Sequence, residues 1–361
     1  MTTGIVYHDQ YLLHEQSPTH PERRERLSYT RDQFLEEGIC DRKEYVRITP
    51  CPAPLPAVLA VHDLQYISFL EQSSEKGGYI DADTSIPKGL FNSARLAAGG
   101  AIAAADAVLD NQVKNAFALC RPPGHHAGKG HGAGFCYLNN IAIMVRHLQA
   151  RGMKRIVILD WDAHHGNGTQ EIFYDDPSVL FISIHQYPFY PGTGSIYETG
   201  SGTGIGFTIN MPIPAGTSNE SYYYFFDEII HPIVCEFSPD CIAISAGQDT
   251  HFTDPLTSLA VTATGYANLM QKTCELSERL CDGRLVAVLE GGYSVEGGLP
   301  YTNLAILAAM AGLDTSHMKE PSIFHTAFER RYDPHSFENV VSMARTLKGI
   351  LCTFWQSIPF T

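Results

Sequence analysis

The chain of 361 residues has a formal net charge of −14, and 44% of its residues are hydrophobic, which is typical of a folded protein with a large core. The acidic balance argues against direct binding of nucleic acid and is compatible with a cationic substrate. The sequence has no run of about 18 apolar residues and no signal peptide pattern, so neither a membrane span nor secretion is expected. Nine cysteines without a Cys-x-x-Cys pair favour a reducing cytoplasm.

Apolar runs along the chain predict strands that are buried on both faces, because their hydrophobicity is continuous rather than alternating. The five runs lie at 116–120, 156–159, 179–184, 241–245 and 285–289. Helical patterns lie at 92–110, 139–150, 219–236 and 264–281. This order predicts one three-layer α/β domain over residues 1–361, with a central, mainly parallel sheet flanked by helices. Its core is expected at about 4–312, with peripheral helices and loops at 313–361.

Residues that commonly bind metals follow the second of these strands. Asp162 and His164 are two positions apart, so on an extended backbone both side chains point to the same side. Asp249 follows the fourth strand and is the best candidate for a third ligand. Two carboxylates and an imidazole predict a catalytic zinc site, with iron(II), cobalt(II) or manganese as alternatives. Taken alone, Asp-x-His also fits a strand end followed by helix-capping residues.

Two adjacent histidines, His125 and His126, follow the first of the five strands. Imidazoles titrate near neutral pH, so one is suited to remove a proton from water while the other acts as its electrostatic partner. Asp160 and Asn167 are available to orient the two rings. The alternatives are a second pair of metal ligands or ordinary histidines at the rim.

Aromatic residues next to glycines predict the walls of a substrate channel. Tyr293 follows two glycines, and its hydroxyl is suited to stabilise an oxyanion. Phe135, which follows Gly134, and Tyr190 are suited to enclose an aliphatic stem between two rings. Each ring fits a hydrophobic core equally well, so these positions are weaker indications than the metal ligands.

Four motifs together resemble the zinc-dependent histone deacetylase family, in its class II type, close to prokaryotic histone-deacetylase-like amidohydrolases. The resemblance extends from about residue 20 to 312. It implies an arginase-like α/β fold and hydrolysis of N6-acetyl-lysine. The motifs are RPPGHHA at 121–127, GFC at 134–136, DWDAHHGNGTQ at 160–170 and EGGY at 290–293.

The resemblance implies a role for each matching residue, with one catalytic zinc ion and an acetylated lysine or a small acetylated amine as substrate. The zinc ligands are Asp162, His164 and Asp249. The catalytic group is His126 as general base and acid, His125 as its partner, Asn167 and Asp160 behind them, and Tyr293 on the acetyl carbonyl. The substrate-binding group is Asp83 at the rim with Gly134, Phe135, Tyr190, Leu256 and Gly291.

The same resemblance implies one or two structural potassium ions below the zinc site. The first potassium site matches Asp160, Asp162, His164, Ser183 and the Ile184 carbonyl. The second matches Phe173, Asp176, Val179 and Phe207. The sequence departs from the family pattern at Gln248, Thr250 and Tyr190, which are positions that bear on acyl-chain preference.

Other functions are weighed against zinc-dependent hydrolysis of acetyl-lysine. Gly166 and His251 stand where an arginase-type dimanganese site has further aspartates, which favours a single metal. Leu256 stands where acetylpolyamine deacetylases tend to have glutamate, which favours a peptide substrate or a longer acyl group. A non-catalytic acyl-lysine binder is expected to lack Tyr293 or a histidine, and all are present. Acetylpolyamine or another small amide remains the leading alternative substrate.

Overall fold

A parallel sheet runs through the centre of the computed structural model, which describes residues 2–17 and 19–359. Two short strands pair antiparallel outside it, β3 with β4. The ten strands are β1 (Thr3–Val6), β2 (Tyr45–Ile48), β3 (Gly78–Tyr79), β4 (Ser85–Ile86), β5 (Asn115–Ala118), β6 (Ile156–Asp160), β7 (Val179–Gln186), β8 (Thr208–Ile213), β9 (Cys241–Ala246) and β10 (Leu285–Leu289). The eight strands of the central sheet follow the order β2-β1-β5-β10-β9-β6-β7-β8.

The five predicted strands are confirmed as β5, β6, β7, β9 and β10, all of them inside the sheet. Three outer strands, β1, β2 and β8, were not predicted. β2 lies at one edge and is half exposed, so it lacks a continuous apolar run. β8 lies at the other edge and contains Pro212, which an edge strand tolerates because one side of it has no ladder partner.

Helices cover the sheet in two layers, one formed by α2 to α6 and the other by α1, α7, α9, α10 and α12. The three-layer α/β prediction is therefore confirmed. The α-helices in the described part of the chain are α1 (Glu25–Glu36), α2 (Leu55–Leu59), α3 (Leu64–Lys76), α4 (Leu90–Leu109), α5 (Asn140–Ala150), α6 (Asn167–Phe173), α7 (Asn219–Phe225), α8 (His231–Phe237), α9 (Ala263–Cys281), α10 (Gly298–Met310), α11 (His325–Arg331) and α12 (Ser336–Leu351).

The helix predicted at 219–236 is confirmed as one continuous helical run, in which a π-helical turn at Phe226–Ile230 lies between α7 and α8. Pro232 has no amide hydrogen to donate, so the α-helical bonding pattern is interrupted at this point. None of the helices within the described ranges combines the length and apolar character that a membrane span requires.

The carboxyl ends of the parallel strands meet at one edge of the sheet, where α/β proteins bind their ligands. β6 pairs directly with β9, and Asp160 is in register with Ser245. β5 lies beside β10, which in turn pairs with β9. The loops after β5, β6, β9 and β10 therefore begin side by side.

Candidate active site

The predicted metal ligands Asp162, His164 and Asp249 lie together at this edge. Nδ1 of His164 is 3.1 Å from Oδ1 of Asp162 and 3.0 Å from Oδ2 of Asp249. One ligand atom from each residue lies within 4.8 Å of the other two. The neighbouring strands β6 and β9 deliver the two carboxylates, which explains why residues far apart in sequence converge.

Backbone amides hold both carboxylates in place. Oδ2 of Asp162 accepts a hydrogen bond from the Gly291 amide (2.7 Å), and Oδ1 of Asp249 accepts one from the Ala163 amide (2.8 Å). A Cβ atom on Gly291 would lie 2.1 Å from Oδ2 of Asp249, so only glycine fits there. Gly291 therefore supports the proposed metal ligands, and its predicted contact with substrate stays a prediction.

The donor set fits a metal cation. Asp162 and Asp249 are fully buried and face each other, and such a pair needs a positive charge between them. Burial raises the pKa of Asp249, and the charge of Asp162 raises it further. Burial alone would lower the pKa of His164, but its contacts with Asp162 and Asp249 raise it to about 10. A proton and a metal ion thus compete for the same three side chains.

His125 and His126 lie beside this cluster with their ring centres 4.1 Å apart. Nδ1 of His126 is 2.7 Å from Oδ1 of Asn167, an atom that only accepts hydrogen bonds, so Nδ1 carries the hydrogen. The neutral ring then presents Nε2 as a free acceptor. Nδ1 of His125 is 3.0 Å from Oδ2 of Asp160. Both orienting partners are those proposed from the sequence.

The two histidines have opposite electrostatic environments. Burial lowers the pKa of His126 well below its usual value, and the charges of His125 and His164 lower it further. Burial acts in the same direction on His125, but the carboxylates of Asp162 and Asp160 outweigh it and raise the pKa to about 10. These shifts favour a neutral His126 imidazole next to a charged His125 at neutral pH.

Tyr293 reaches the same pocket from the loop after β10. Burial raises the pKa of its phenol well above the usual value, so the hydroxyl keeps its proton and is available to donate a hydrogen bond. Its backbone amide donates to Oδ2 of Asp254 at 2.7 Å. The guanidinium of Arg26 lies 4.9 Å from the centre of its ring and donates to the Gly292 carbonyl at 2.7 Å. Sequence reasoning did not single out either Asp254 or Arg26.

Glu290 supports the histidine loop from below and was also not assigned a role from the sequence. Its Oε2 atom accepts the amides of Gly124 (2.7 Å) and His125 (3.1 Å). Glu290, His125 and Cys136 form a second group whose polar atoms lie within 4.8 Å of one another. Burial raises the pKa of Glu290 to about 7. The contacts of its Oε2 atom identify it as a support for the His125 backbone.

A narrow cavity of about 270 Å³ leads from the surface to these groups. It contains the predicted tunnel residues Gly134, Phe135 and Tyr190, together with Asp83 and Leu256 at the entrance. The structure adds Asp81 and Phe189 to the lining. At Gly134 (φ 53°) a Cβ atom would lie 2.5 Å from the His126 ring, and Phe135 itself has φ 68°, a conformation that is unusual for a phenylalanine.

The first set of residues assigned to potassium shares Asp162 and His164 with the predicted metal ligands. Asp160 is in register with Ser183 on the neighbouring strand, and both side chains are fully buried, as is that of Ile184. Oγ of Ser183 hydrogen-bonds to Nδ1 of His185 at 2.9 Å. In the second set, the carboxylate of Asp176 contacts Arg146 and Ser178, and its amide donates to the Phe173 carbonyl at 3.0 Å.

The parallel sheet with helices on both faces and the buried carboxylates and histidines at its carboxyl edge are typical of a metal-dependent amidohydrolase. The family model described as histone deacetylase domain matches residues 20–309, and the protein belongs to the histone deacetylase family. The crystal structure of the HDA15 HD domain superposes with a TM-score of 0.88 at 34% identity, covering 99% of this chain and 96% of that one. The expected arginase-like fold is thereby confirmed.

Two curated relatives are similar to this protein over more than four fifths of its length. A probable deacetylase of Archaeoglobus fulgidus is 64% identical over 321 residues, which make up 89% of either chain. The polyamine deacetylase HDAC10 of Homo sapiens is 37% identical over 315 residues, which cover 82% of this chain and 46% of the human protein. The resemblance to the histone deacetylase family that the motifs indicated is confirmed.

Proposed function

We propose that this protein is a zinc-dependent deacetylase that hydrolyses the amide of N6-acetyl-lysine in a protein or peptide. The observation that carries this proposal is the position of His126, which lines the same narrow cavity as His164 and Tyr293. A neutral base, a metal ligand and a phenol donor are thereby within reach of one bound amide. Membership of a deacetylase family supports the same conclusion.

Asp162, His164 and Asp249 would hold one zinc ion, since carboxylate and imidazole are ligands that zinc accepts at catalytic sites. When bound, the ion supplies a Lewis acid that polarises the acetyl carbonyl and acidifies a water molecule. A dimanganese site is less well supported. Gly166 has no side chain to offer, and Nε2 of His251 is 2.7 Å from Glu320.

His126 moves the proton during hydrolysis. Its Nε2 atom accepts a proton from the attacking water, because Asn167 fixes the other nitrogen as a donor. As water adds to the carbonyl carbon, negative charge grows on the carbonyl oxygen, and the Tyr293 hydroxyl donates a hydrogen bond to it. The C–N bond then breaks, and His126 returns the proton to the departing lysine amine. The products are acetate and a free lysine side chain.

The walls of the cavity fit the aliphatic part of acetyl-lysine. Phe135 and Tyr190 both line the passage, and their rings would enclose the methylene groups of the side chain. Asp83 and Asp81 line the same cavity, and both are exposed. We propose that Asp83 accepts hydrogen bonds from the substrate backbone.

An acetylated polyamine is the second candidate substrate. The two carboxylates of Asp81 and Asp83 favour it, since they would attract a distant ammonium group, and a polyamine deacetylase is among the relatives. Leu256 argues against it, because this apolar side chain lines the cavity where a carboxylate would bind that ammonium group. The peptide substrate is therefore favoured over the polyamine.

The decisive test measures kcat/KM for acetyl-lysine peptides, acetylated polyamines and longer acyl-lysine peptides with the zinc-loaded protein. We expect acetyl-lysine peptides to have the highest value. The His126→Ala variant serves as the blank, because it retains the proposed metal ligands but lacks the base. A higher kcat/KM for acetylpolyamine would contradict the peptide proposal, and turnover by His126→Ala equal to that of the wild type would contradict the whole mechanism.

Potassium binding, the cellular location and the extent of the catalytic domain are also proposed. One or two potassium ions are proposed at the two predicted sites, and the burial of Asp160 and Ser183 supports the first site. The cytoplasm is the proposed location, on the basis of the cysteine usage. The catalytic domain is proposed to span residues 1–361, and nothing in the acidic composition favours a nucleic-acid partner.

A further inference from the structure

The segment after the family match, residues 313–359, reaches back to the mouth of the cavity. Arg331, the last residue of α11, donates from Nη2 to the Asp254 carbonyl at 3.1 Å and from Nη1 to the Thr257 carbonyl. These two carbonyls flank Leu256, which lines the cavity entrance. Within residues 2–17 and 19–359 no other group donates a hydrogen bond to either of them.

The turn from Asp254 to Thr257 links the entrance to the catalytic loop. Oδ1 of Asp254 accepts the Leu256 amide at 2.9 Å, and Oδ2 accepts the Tyr293 amide at 2.7 Å. The Thr257 hydroxyl donates to the carbonyl of the proposed metal ligand Asp249. A displacement of this turn would therefore move Leu256 first, since Tyr293 is also held by the neighbouring contact of Gly291 with Asp162.

Arg331 is suited to hold the two ends of a turn. Its planar guanidinium presents several N–H groups in a fixed geometry, and a charged donor makes a stronger bond to a carbonyl than a neutral one does. The preceding residue, Arg330, is exposed and makes no ion pair or hydrogen bond in the part of the chain that the structure describes. The pair therefore offers a positioned arginine and a matched control on the same helix.

Other hydrogen bonds attach this segment to the core on both sides of Arg331, so the loss of Arg331 would not release it. Oε1 of Glu320 is 2.7 Å from Nε2 of His251 and also accepts the Ala263 amide. The Asp333 amide donates to the Gly216 carbonyl at 3.1 Å, and the Gly216 amide donates to the Ser258 carbonyl at 2.7 Å. Arg331 lies between these two anchors.

We propose that Arg331 is a positioning residue that fixes the Leu256 turn and thereby sets how tightly the cavity entrance holds its substrate. In its enzymatic consequence this inference rests on the proposed deacetylase function. Among the described residues, Arg331 is not part of the cavity lining and has no hydrogen bond to the proposed metal ligands, and its hydrogen bonds go to the two ends of the turn. It also lines, with Arg330 and Tyr293, a second pocket beside the turn, so the Arg330→Ala control accounts for any effect of that pocket.

The enzymatic test compares Arg331→Ala, Arg331→Lys and Arg330→Ala in the full-length, zinc-loaded protein with an acetyl-lysine peptide. We expect Arg331→Ala to raise KM about tenfold while kcat stays within about twofold, as the loss of a charged hydrogen bond at the entrance predicts. Arg331→Lys should recover part of the loss, because an ammonium group reaches one carbonyl. Partial unfolding would lower the apparent kcat and leave KM unchanged, so a rise in KM separates positioning from lost stability.

Hydrogen exchange of the amides in residues 250–260 tests the same inference without turnover. The Leu256 amide should exchange about tenfold faster in Arg331→Ala than in Arg330→Ala, because its turn loses both outer bonds. Unchanged exchange, or an unchanged KM in an active enzyme, overturns the proposal. If the wild type hydrolyses no acetyl-lysine peptide, the proposed function fails, and exchange alone decides whether Arg331 holds the turn.

Discussion

The floor of the cavity and its mouth are built in different ways. The floor, defined as Asp162, His164, Asp249, His125 and His126, is buried and follows directly from strand ends of the sheet. The mouth, defined as Asp81, Asp83, Phe189, Tyr190 and Leu256, is at least partly exposed and comes entirely from loops. The proposed catalytic residues thus lie in buried segments that follow strands of the sheet, whereas the proposed substrate contacts lie in more exposed loops.

The floor and the mouth differ in how their side chains are held in position. Backbone amides donate to both floor carboxylates, those of Gly291 and His164 to Asp162 and that of Ala163 to Asp249, so the backbone itself holds these side chains in position. At the mouth, position depends on distant partners, such as His20, whose Nε2 is 3.1 Å from the Asp83 carbonyl. Substitutions in the floor should therefore change kcat and metal content, whereas those in the mouth should change KM and selectivity.

The largest effect is expected from Asp249→Ala. Removing one of three ligands leaves Asp162 and His164 too weak to hold the ion, so we expect less than about 0.1 equivalents of zinc and a loss of turnover of at least about a thousandfold. Metal content is measured by atomic absorption on the purified protein. Asp83→Ala, at the mouth, is the control and should keep stoichiometric zinc. Full zinc occupancy in Asp249→Ala would remove this residue from the ligand set.

Tyr293→Phe should have the next largest effect, because it deletes only the hydroxyl. Loss of one oxyanion donor lowers kcat by about 10²–10³-fold, equivalent to about 3–4 kcal/mol of transition-state stabilisation. Zinc content should equal that of the wild type, since the phenol is not a ligand. Steady-state kinetics and metal analysis on the same sample test both points. Near-normal turnover would show that another group stabilises the oxyanion.

The floor could be predicted from the sequence because its residues are close together in sequence or directly follow predicted strands. Asp162 and His164 are two positions apart and directly follow the predicted strand at 156–159. Asp249 follows another predicted strand, and the structure shows that these two strands, β6 and β9, pair with each other. Asp160 and Asn167 were available as partners for the two histidines, and the family resemblance implied the pairing of His125 with Asp160 and of His126 with Asn167. The geometry brings both pairs within hydrogen-bond distance.

The supports of the site were missed because they depend on contacts between distant parts of the chain. Arg26 lies 266 positions from its partner Gly292, and Arg331 lies 74 positions from Thr257. Nothing in the local sequence distinguishes these arginines from the exposed Arg24 or Arg330. The outer strands β1, β2 and β8 were missed for a related reason, since they are short or interrupted by polar residues.

Asn167→Asp tests the protonation of the floor and should change the pH profile more than the maximal rate. Burial and nearby positive charges lower the pKa of His126, so the acid limb of kcat/KM in the wild type should lie below about pH 6.5. A carboxylate behind the ring favours the imidazolium and raises that pKa by about one unit. Because protonated His126 cannot accept a proton, activity should be lost at a higher pH than in the wild type.

The control for this prediction is Asn111→Asp, which makes the same change in charge at an exposed position remote from the floor. Its profile should overlay that of the wild type. An acid limb that does not move in Asn167→Asp would indicate that His126 is not the group whose protonation limits the reaction.

The smallest effect is expected at the mouth, from Leu256→Glu. A carboxylate at this position would face the distant ammonium of an acetylated polyamine, and a partly exposed pair of this kind contributes about 1 kcal/mol. The ratio of kcat/KM for acetylspermidine to that for a neutral acetyl-lysine peptide should rise about fivefold, and the gain should shrink as salt is added. Leu256→Gln has nearly the same shape without the charge, so it should leave the ratio near that of the wild type. An equal rise in both variants would mean that the loss of the apolar side chain, and not the new charge, controls selectivity at the mouth.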